Sequence, residues 1–126
     1  MKVEVLQERL AKALNIVSRV AASTKAGLPI LSNILIRADG KQLILTATNL
    51  ELATVEYVNA KILEEGTITV PARLLASFIS NLPKGTVKLS VKDSKLTIEA
   101  DQYKSIMNGM ATDDYPEIPT IDEKKA

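Results

Sequence analysis

The sequence predicts an α+β fold in which the order strand, helix, strand, strand, strand occurs twice, with two helices on one side of two antiparallel sheets. The first observation is a repeat, because residues 2–14 resemble residues 67–79 in pattern, 65 positions further on. At that offset Val5 falls on Val70. The second observation is the spacing of apolar residues in each copy. They first alternate, as in a strand, then recur every three or four residues, as in a helix, and then alternate again. Two ordinary amphipathic helices with similar spacing are the alternative explanation.

The first half is predicted to begin with a strand over residues 2–5 and to continue as a helix over about residues 6–22. The helix is indicated by one apolar stripe made of Leu6, Leu10, Leu14, Val17 and Ala21. Three strands are predicted next, over residues 34–37, 42–48 and 53–62. The pair Asp39-Gly40 indicates a tight turn between the first two of them.

The second half is predicted to begin with a strand over residues 67–70, and Pro71 is expected in the first turn of the second helix. The buried stripe of this helix is predicted to be Leu74, Leu75, Phe78, Ile79 and Leu82. Strands are predicted over residues 86–91, 95–100 and 103–110. Residues 113–126 show no apolar period and are predicted to form a linker.

Composition argues against an enzyme and against a bound cofactor. The chain has no histidine and no cysteine, which excludes thiol nucleophiles, disulfides and Cys/His zinc sites and removes the usual general base. Its 5 glycines form no phosphate-binding loop, and the acidic pair Asp113-Asp114 has no further ligand at suitable spacing, so no metal site is expected. No signal peptide or membrane span is predicted, and a cytoplasmic location is expected.

Charge is segregated although the net charge is only +1. Residues 6–25 carry four cations and one acid, whereas residues 46–70 carry one cation and four acids. The helices present cations, amides and hydroxyls on their polar faces, which suits either an ordinary solvated surface or weak, sequence-independent contact with phosphates. Arg73 lies in a first helical turn, where it is either a solvated arginine or a cation directed at a phosphate.

Four stretches of the sequence carry a family resemblance: LPILSNILI at 28–36, TATNLE at 46–51, TVPAR at 69–73 running to NLP at 81–83, and DYP at 114–116. Their order and spacing resemble the first domain of the bacterial replicative sliding clamp, the beta subunit of DNA polymerase III. The resemblance implies a non-catalytic processivity factor, a homodimeric ring with three similar domains per protomer that encircles duplex DNA. It also implies that residues 1–119 are the N-terminal domain and that residues 120–126 begin a linker to a second domain.

The resemblance also assigns residues and partners. Lys25 and Arg73 are expected to touch DNA phosphates, and Lys25 stands where arginine is familiar, so bidentate contact is not expected there. The charge segregation, and not the resemblance, predicts Lys12, Arg19 and Lys84 as weaker neighbours, and the polar face of the second helix adds Ser77 and Asn81 as DNA-binding residues. The ring interface is expected at Tyr103, Ser105 and Met107, with Met107 as its best apolar contact. The pocket for replicative polymerase and clamp loader is expected in the third domain of the family. A small non-catalytic binding or scaffold domain without a nucleic-acid role is the alternative.

Overall fold

Alternating apolar segments become strands and the two apolar stripes become helices, in the predicted order. The computed structural model describes residues 1–22, 33–48 and 53–109. In chain order the elements are β1 (Lys2–Leu6), α1 (Gln7–Ala22), β2 (Asn33–Asp39), β3 (Gln42–Thr48), β4 (Ala53–Asn59), β5 (Lys61–Glu64), β6 (Gly66–Pro71), α2 (Ala72–Ser80), β7 (Thr86–Lys92), β8 (Lys95–Ala100) and β9 (Tyr103–Asn108). Neither helix is long and apolar enough to cross a membrane.

The strands form two antiparallel sheets, as predicted. One sheet has the order β5-β1-β7-β8-β9 and the other has the order β4-β3-β2-β6. Each half of the chain contributes its first strand to the sheet of the other half, because β1 pairs with β7 and β6 pairs with β2. The helices α1 and α2 pack against each other, and α1 also packs on β3 and β4. The two halves therefore share one core.

The sequence repeat holds in the structure for the first strand and the helix of each half. Val3 lies opposite Leu89, and 65 positions after Val3 lies Ile68, opposite Ile36. All four of these side chains are buried. The helices keep the same offset, since α1 begins at Gln7 and α2 begins 65 positions later. The repeat is thus structural, and each half supplies an apolar strand face that the other half covers.

One predicted strand, over residues 53–62, is in fact two strands in two sheets. β4 ends at Asn59, and after Ala60 the chain continues as β5, which pairs with β1 in the other sheet. The inward side chains still alternate through this corner, because Val58 is buried and both Ala60 and Ile62 pack against the core. A period of two without interruption looks like one strand, although such corners are a regular way for a strand to change sheets.

The second helix also differs from the prediction in two places. Pro71 precedes the helix as its N-cap residue, with φ −59° and ψ 122°, so it is not in the first turn. Leu74 is 56% exposed, although it was predicted to be buried, and Phe78 is half-buried. The buried stripe of α2 is instead Ala72, Leu75, Ala76 and Ile79. Spacings of three and four from Ala72 select this stripe and leave Leu74 on the flank.

The connection between the two halves is held in place by hydrogen bonds to the carboxylates of Glu64 and Glu65. Glu64 Oε1 accepts a hydrogen bond from the Met1 amino group at 3.3 Å, and Glu65 Oε2 accepts one from the Gly40 N–H at 2.9 Å. Gly40 has φ 65° in the predicted tight turn between β2 and β3, a conformation that favours glycine. These contacts join the connection to the chain start and to the first hairpin.

Candidate nucleic-acid interface

The two helices bury one face each and expose a polar face. On α1 the buried stripe includes Leu10, Leu14 and Val17. The exposed side chains of α1 are Glu8, Arg9, Lys12, Asn15 and Arg19, and those of α2 are Arg73, Leu74, Ser77 and Ser80. Four of these nine side chains are cations and one is an acid. The exposed surface of the helix pair therefore carries an excess of three positive charges.

Gln7 fixes how the helices meet. It is only 6% exposed, and its Nε2 donates to the Ile79 carbonyl oxygen at 2.7 Å. Its backbone N–H donates to the Gly85 carbonyl oxygen at 2.8 Å. The beginning of α1 is therefore tied to the end of α2. The sequence does contain a signal for this role that we did not use, since Gln7, Leu10 and Leu14 share helical spacing, which places Gln7 in the apolar stripe.

Arg73 lies exposed in the first turn of α2, as predicted. This turn contains no acidic residue, and the N-cap residue Pro71 makes no side-chain hydrogen bond. The first backbone N–H groups of a helix have no partner within the helix, and they carry partial positive charge. The guanidinium of Arg73 adds a full positive charge at the same helix end. This end is suited to an anion such as a phosphate.

Lys12 and Arg19 are exposed on α1, as predicted, and a third cation, Arg9, accompanies them. Arg9 lies three residues before Lys12, so the two side chains share a face of the helix. Arg9 and Lys12 line a depression of about 270 Å³ beside the edge strand β4, together with Glu56 and Tyr57. Arg9 was not among the predicted site residues, although the same helical spacing would have identified it.

Lys84 and Asn81 have partners within the chain that the sequence did not indicate. Lys84 lies after the end of α2 and not on the helix itself. Its Nζ is 3.8 Å from Glu8 Oε1, and both side chains are exposed. Asn81 is the C-cap residue of α2, and its Nδ2 donates to the Ser77 carbonyl oxygen at 2.8 Å. One amide donor of Asn81 is therefore engaged in ending the helix.

The predicted site extends beyond the residues that the structure describes. Lys25 lies outside them, as does the acidic pair Asp113-Asp114 and the predicted linker after residue 119. Within residues 1–22, 33–48 and 53–109 no three acidic residues lie close enough together to hold a metal ion.

The predicted interface residues lie on β9, which is an edge strand of the five-stranded sheet. Tyr103 is 54% exposed and Ser105 is half-buried. Met107 is only 5% exposed and lies opposite Leu96, so its side chain belongs to the core and is not the most accessible apolar group. The alternation of the strand instead exposes Ile106, at 60%, on the outer face.

Comparison with known proteins agrees with this architecture. A family model described as the DNA polymerase III beta subunit, N-terminal domain, matches residues 1–119. The beta sliding clamp of Synechocystis sp. is 35% identical over 134 residues, covering 99% of this chain and 34% of that protein. The crystal structure of the DNA polymerase III subunit beta from Pseudomonas aeruginosa matches with a TM-score of 0.88 at 33% identity, over 95% of this chain and 33% of that chain.

A second solved structure, the pol III beta of Caulobacter crescentus, matches with a TM-score of 0.88 at 34% identity, over 95% of this chain and 32% of that chain. The chain thus spans about one third of the length of the relatives that it matches. The match of the family model over residues 1–119, on a fold of two exchanged sheets and two paired helices, shows that the chain belongs to the DNA polymerase III beta subunit family, in its N-terminal domain.

Proposed function

We propose that this chain is the first domain of a homodimeric, ring-shaped clamp that encircles duplex DNA in the cytoplasm and holds the replicative polymerase on it. One observation carries the proposal. The polar faces of α1 and α2 present Arg9, Lys12, Arg19 and Arg73 with a single acid, on the side of each helix that turns away from the core. A ring whose inner wall is made of such helices would surround the negative charge of a duplex with positive charge on every side.

The chemistry of this surface favours contact with phosphates over contact with bases. Arg73, Lys12 and Arg19 are exposed cations, and Ser77 is an exposed hydroxyl one helical turn after Arg73. Phosphate contacts of this kind orient a protein on DNA without reporting the base sequence. Neither helix presents the set of convergent side chains that reads base edges in a groove. The expected binding is therefore sequence-independent and sensitive to salt.

To form a ring, the sheets of this domain need edge strands with which the strands of neighbouring domains can pair. β9 and β4 are both edge strands, one in each sheet, and each exposes large apolar side chains: Tyr103 and Ile106 on β9, and Val55 and Tyr57 on β4. Unpaired edge strands with apolar side chains favour pairing with another strand. We retain Tyr103 and Ser105 as interface residues, and the accessible apolar contact becomes Ile106 in place of Met107.

The domain has no catalytic role in this proposal. The chain lacks histidine and cysteine, and its function is to maintain contact between a partner and DNA. Polymerase and clamp loader would bind through another domain of the ring. A scaffold domain with no nucleic-acid role is the competing function, and it predicts that the helix cations are dispensable for DNA binding.

Binding of linear duplex DNA by the ring-forming protein that carries this chain tests the proposal. Arg73→Ala combined with Lys25→Ala should flatten the slope of log K against log salt by about 1.8 for each protomer that contacts the duplex, because each phosphate contact contributes about 0.9. The matched control is Lys88→Ala with Lys92→Ala, which removes two exposed cations from the outer face of the five-stranded sheet. Equal effects of the two pairs, or no effect of the first, would refute a DNA-binding role for Arg73 and Lys25.

A further inference from the structure

Glu8 is the one acidic residue of the two helices. The sequences of α1 and α2 otherwise contain only cations and uncharged residues. Glu8 lies in the first turn of α1, where the helix dipole favours a negative charge. That effect accounts for an acid at this helix end, but it does not account for the cation that faces it from another part of the chain.

The fold brings Glu8 and Lys84 together through the backbone. Gln7, which precedes Glu8, donates its N–H to the carbonyl oxygen of Gly85, which follows Lys84, at 2.8 Å. Gly85 has φ 141°, in the region that favours glycine, so the turn after α2 can bring its carbonyl to α1. Because the two neighbours are hydrogen-bonded to each other, Glu8 and Lys84 lie side by side. Their charged atoms are 3.8 Å apart.

Both members of this pair are accessible to a ligand. The side chains of Lys84 and Glu8 are 83% and 64% exposed. A phosphate that approaches Lys84 therefore also approaches the carboxylate of Glu8. Like charges at such distances repel each other, and a lysine already paired with a carboxylate releases fewer counterions when it meets DNA.

We propose that Glu8 forms an ion pair with Lys84 and thereby lowers the affinity of the helix surface for duplex DNA. This inference rests on the proposed function, because it concerns the strength of the same contact. A clamp that moves along DNA benefits from contacts that are individually weak, since each must be broken at every step. Glu8 keeps one cation of the surface partly neutralised, at the place where α1 begins and α2 ends.

A double-mutant cycle on the ring-forming protein tests this inference. The four proteins are the wild type, Glu8→Gln, Lys84→Gln and the double variant, and circular dichroism verifies that each is folded. Fluorescence anisotropy with a labelled linear duplex gives the affinity over a range of KCl concentrations. Glu99→Gln is the matched control, because it removes one exposed acid from the outer face of the five-stranded sheet.

Glu8→Gln should tighten binding about three- to tenfold at 0.1 M salt and steepen the salt slope by about 0.9 for each protomer that contacts the duplex, which corresponds to one additional phosphate contact per protomer. In the Glu8→Gln background, Lys84→Gln should abolish the whole gain, whereas in the wild type the loss from Lys84→Gln should be several times smaller, because the paired lysine contributes less to binding. Glu99→Gln should leave the affinity and the slope unchanged.

The outcomes separate this inference from the proposed function. Failure of the wild-type protein to bind the duplex even at low salt would overturn the proposed function. Normal wild-type binding with no gain in Glu8→Gln would overturn the role of Glu8 alone. A gain that persists in full in the double variant, or an equal loss from Lys84→Gln in both backgrounds, would show that Lys84 is not restrained by Glu8.

Discussion

Removing the side-chain donor of Gln7 should measure how strongly the two helices are tied together. Gln7 is 6% exposed, and its Nε2 lies 2.7 Å from the Ile79 carbonyl oxygen. That oxygen also accepts the backbone N–H of Leu82 at 3.1 Å, so it keeps one hydrogen bond after the substitution. The expected loss for Gln7→Leu is therefore that of a single hydrogen bond, about 1 kcal/mol, and not the larger cost of a buried unpaired group.

A loss of this size should lower the melting temperature by about 3–5 °C for a chain of this length. Thermal and urea unfolding followed by circular dichroism would measure it. The matched control is Asn15→Leu, a polar-to-leucine change on the exposed face of the same helix, which should change the free energy of unfolding by less than about 0.5 kcal/mol. Equal stability losses in the two variants would refute the role of the Gln7 side chain.

Gln7→Glu adds a test with a defined sign. A buried carboxylate facing a carbonyl oxygen disfavours its charged form, so its pKa in the folded chain should be raised above the unfolded value of about 4.3. The folded state then holds the proton more tightly than the unfolded state. Relative to the wild type, the variant should lose stability as the pH rises from about 4 toward the folded pKa. A loss that does not depend on pH would contradict this account.

Three further substitutions test the packing. Leu75→Ala should lower the free energy of unfolding by about 2–5 kcal/mol, because Leu75 is 0% exposed. Leu74→Ala should change it by less than about 0.5 kcal/mol, because Leu74 is 56% exposed. Urea unfolding that shows the larger loss for Leu74→Ala would contradict the assigned helix face. Gly66→Ala should cost about 1–3 kcal/mol, since an added Cβ would lie 2.8 Å from the Met1 Cβ, and an unchanged melting temperature would refute the close approach.

Only part of the candidate site could be predicted from the sequence. Features that depend on local sequence were predictable, whereas contacts between residues distant in sequence were not. Lys12 and Arg19 follow from helical spacing, whereas Arg73 was assigned by the family resemblance, and the structure leaves all three exposed. The ion pair of Glu8 with Lys84 joins residues that are far apart in sequence, and no local pattern indicates it. Met107 is apolar, which suits both a partner contact and the core, and only the structure shows that its side chain is buried within this chain.

The sequence by itself determined the local features of this protein. Apolar spacings of three and four specify where α1 and α2 form, and alternation with turn residues such as Asp39-Gly40 specifies most strands. Only the tertiary structure decided which strands pair. The exchange of β1 and β6 between the halves and the passage of the chain from β4 to β5 depend on contacts between distant residues. Periodicity tells which face of a strand is buried, but it carries no information about the strand or helix that buries it.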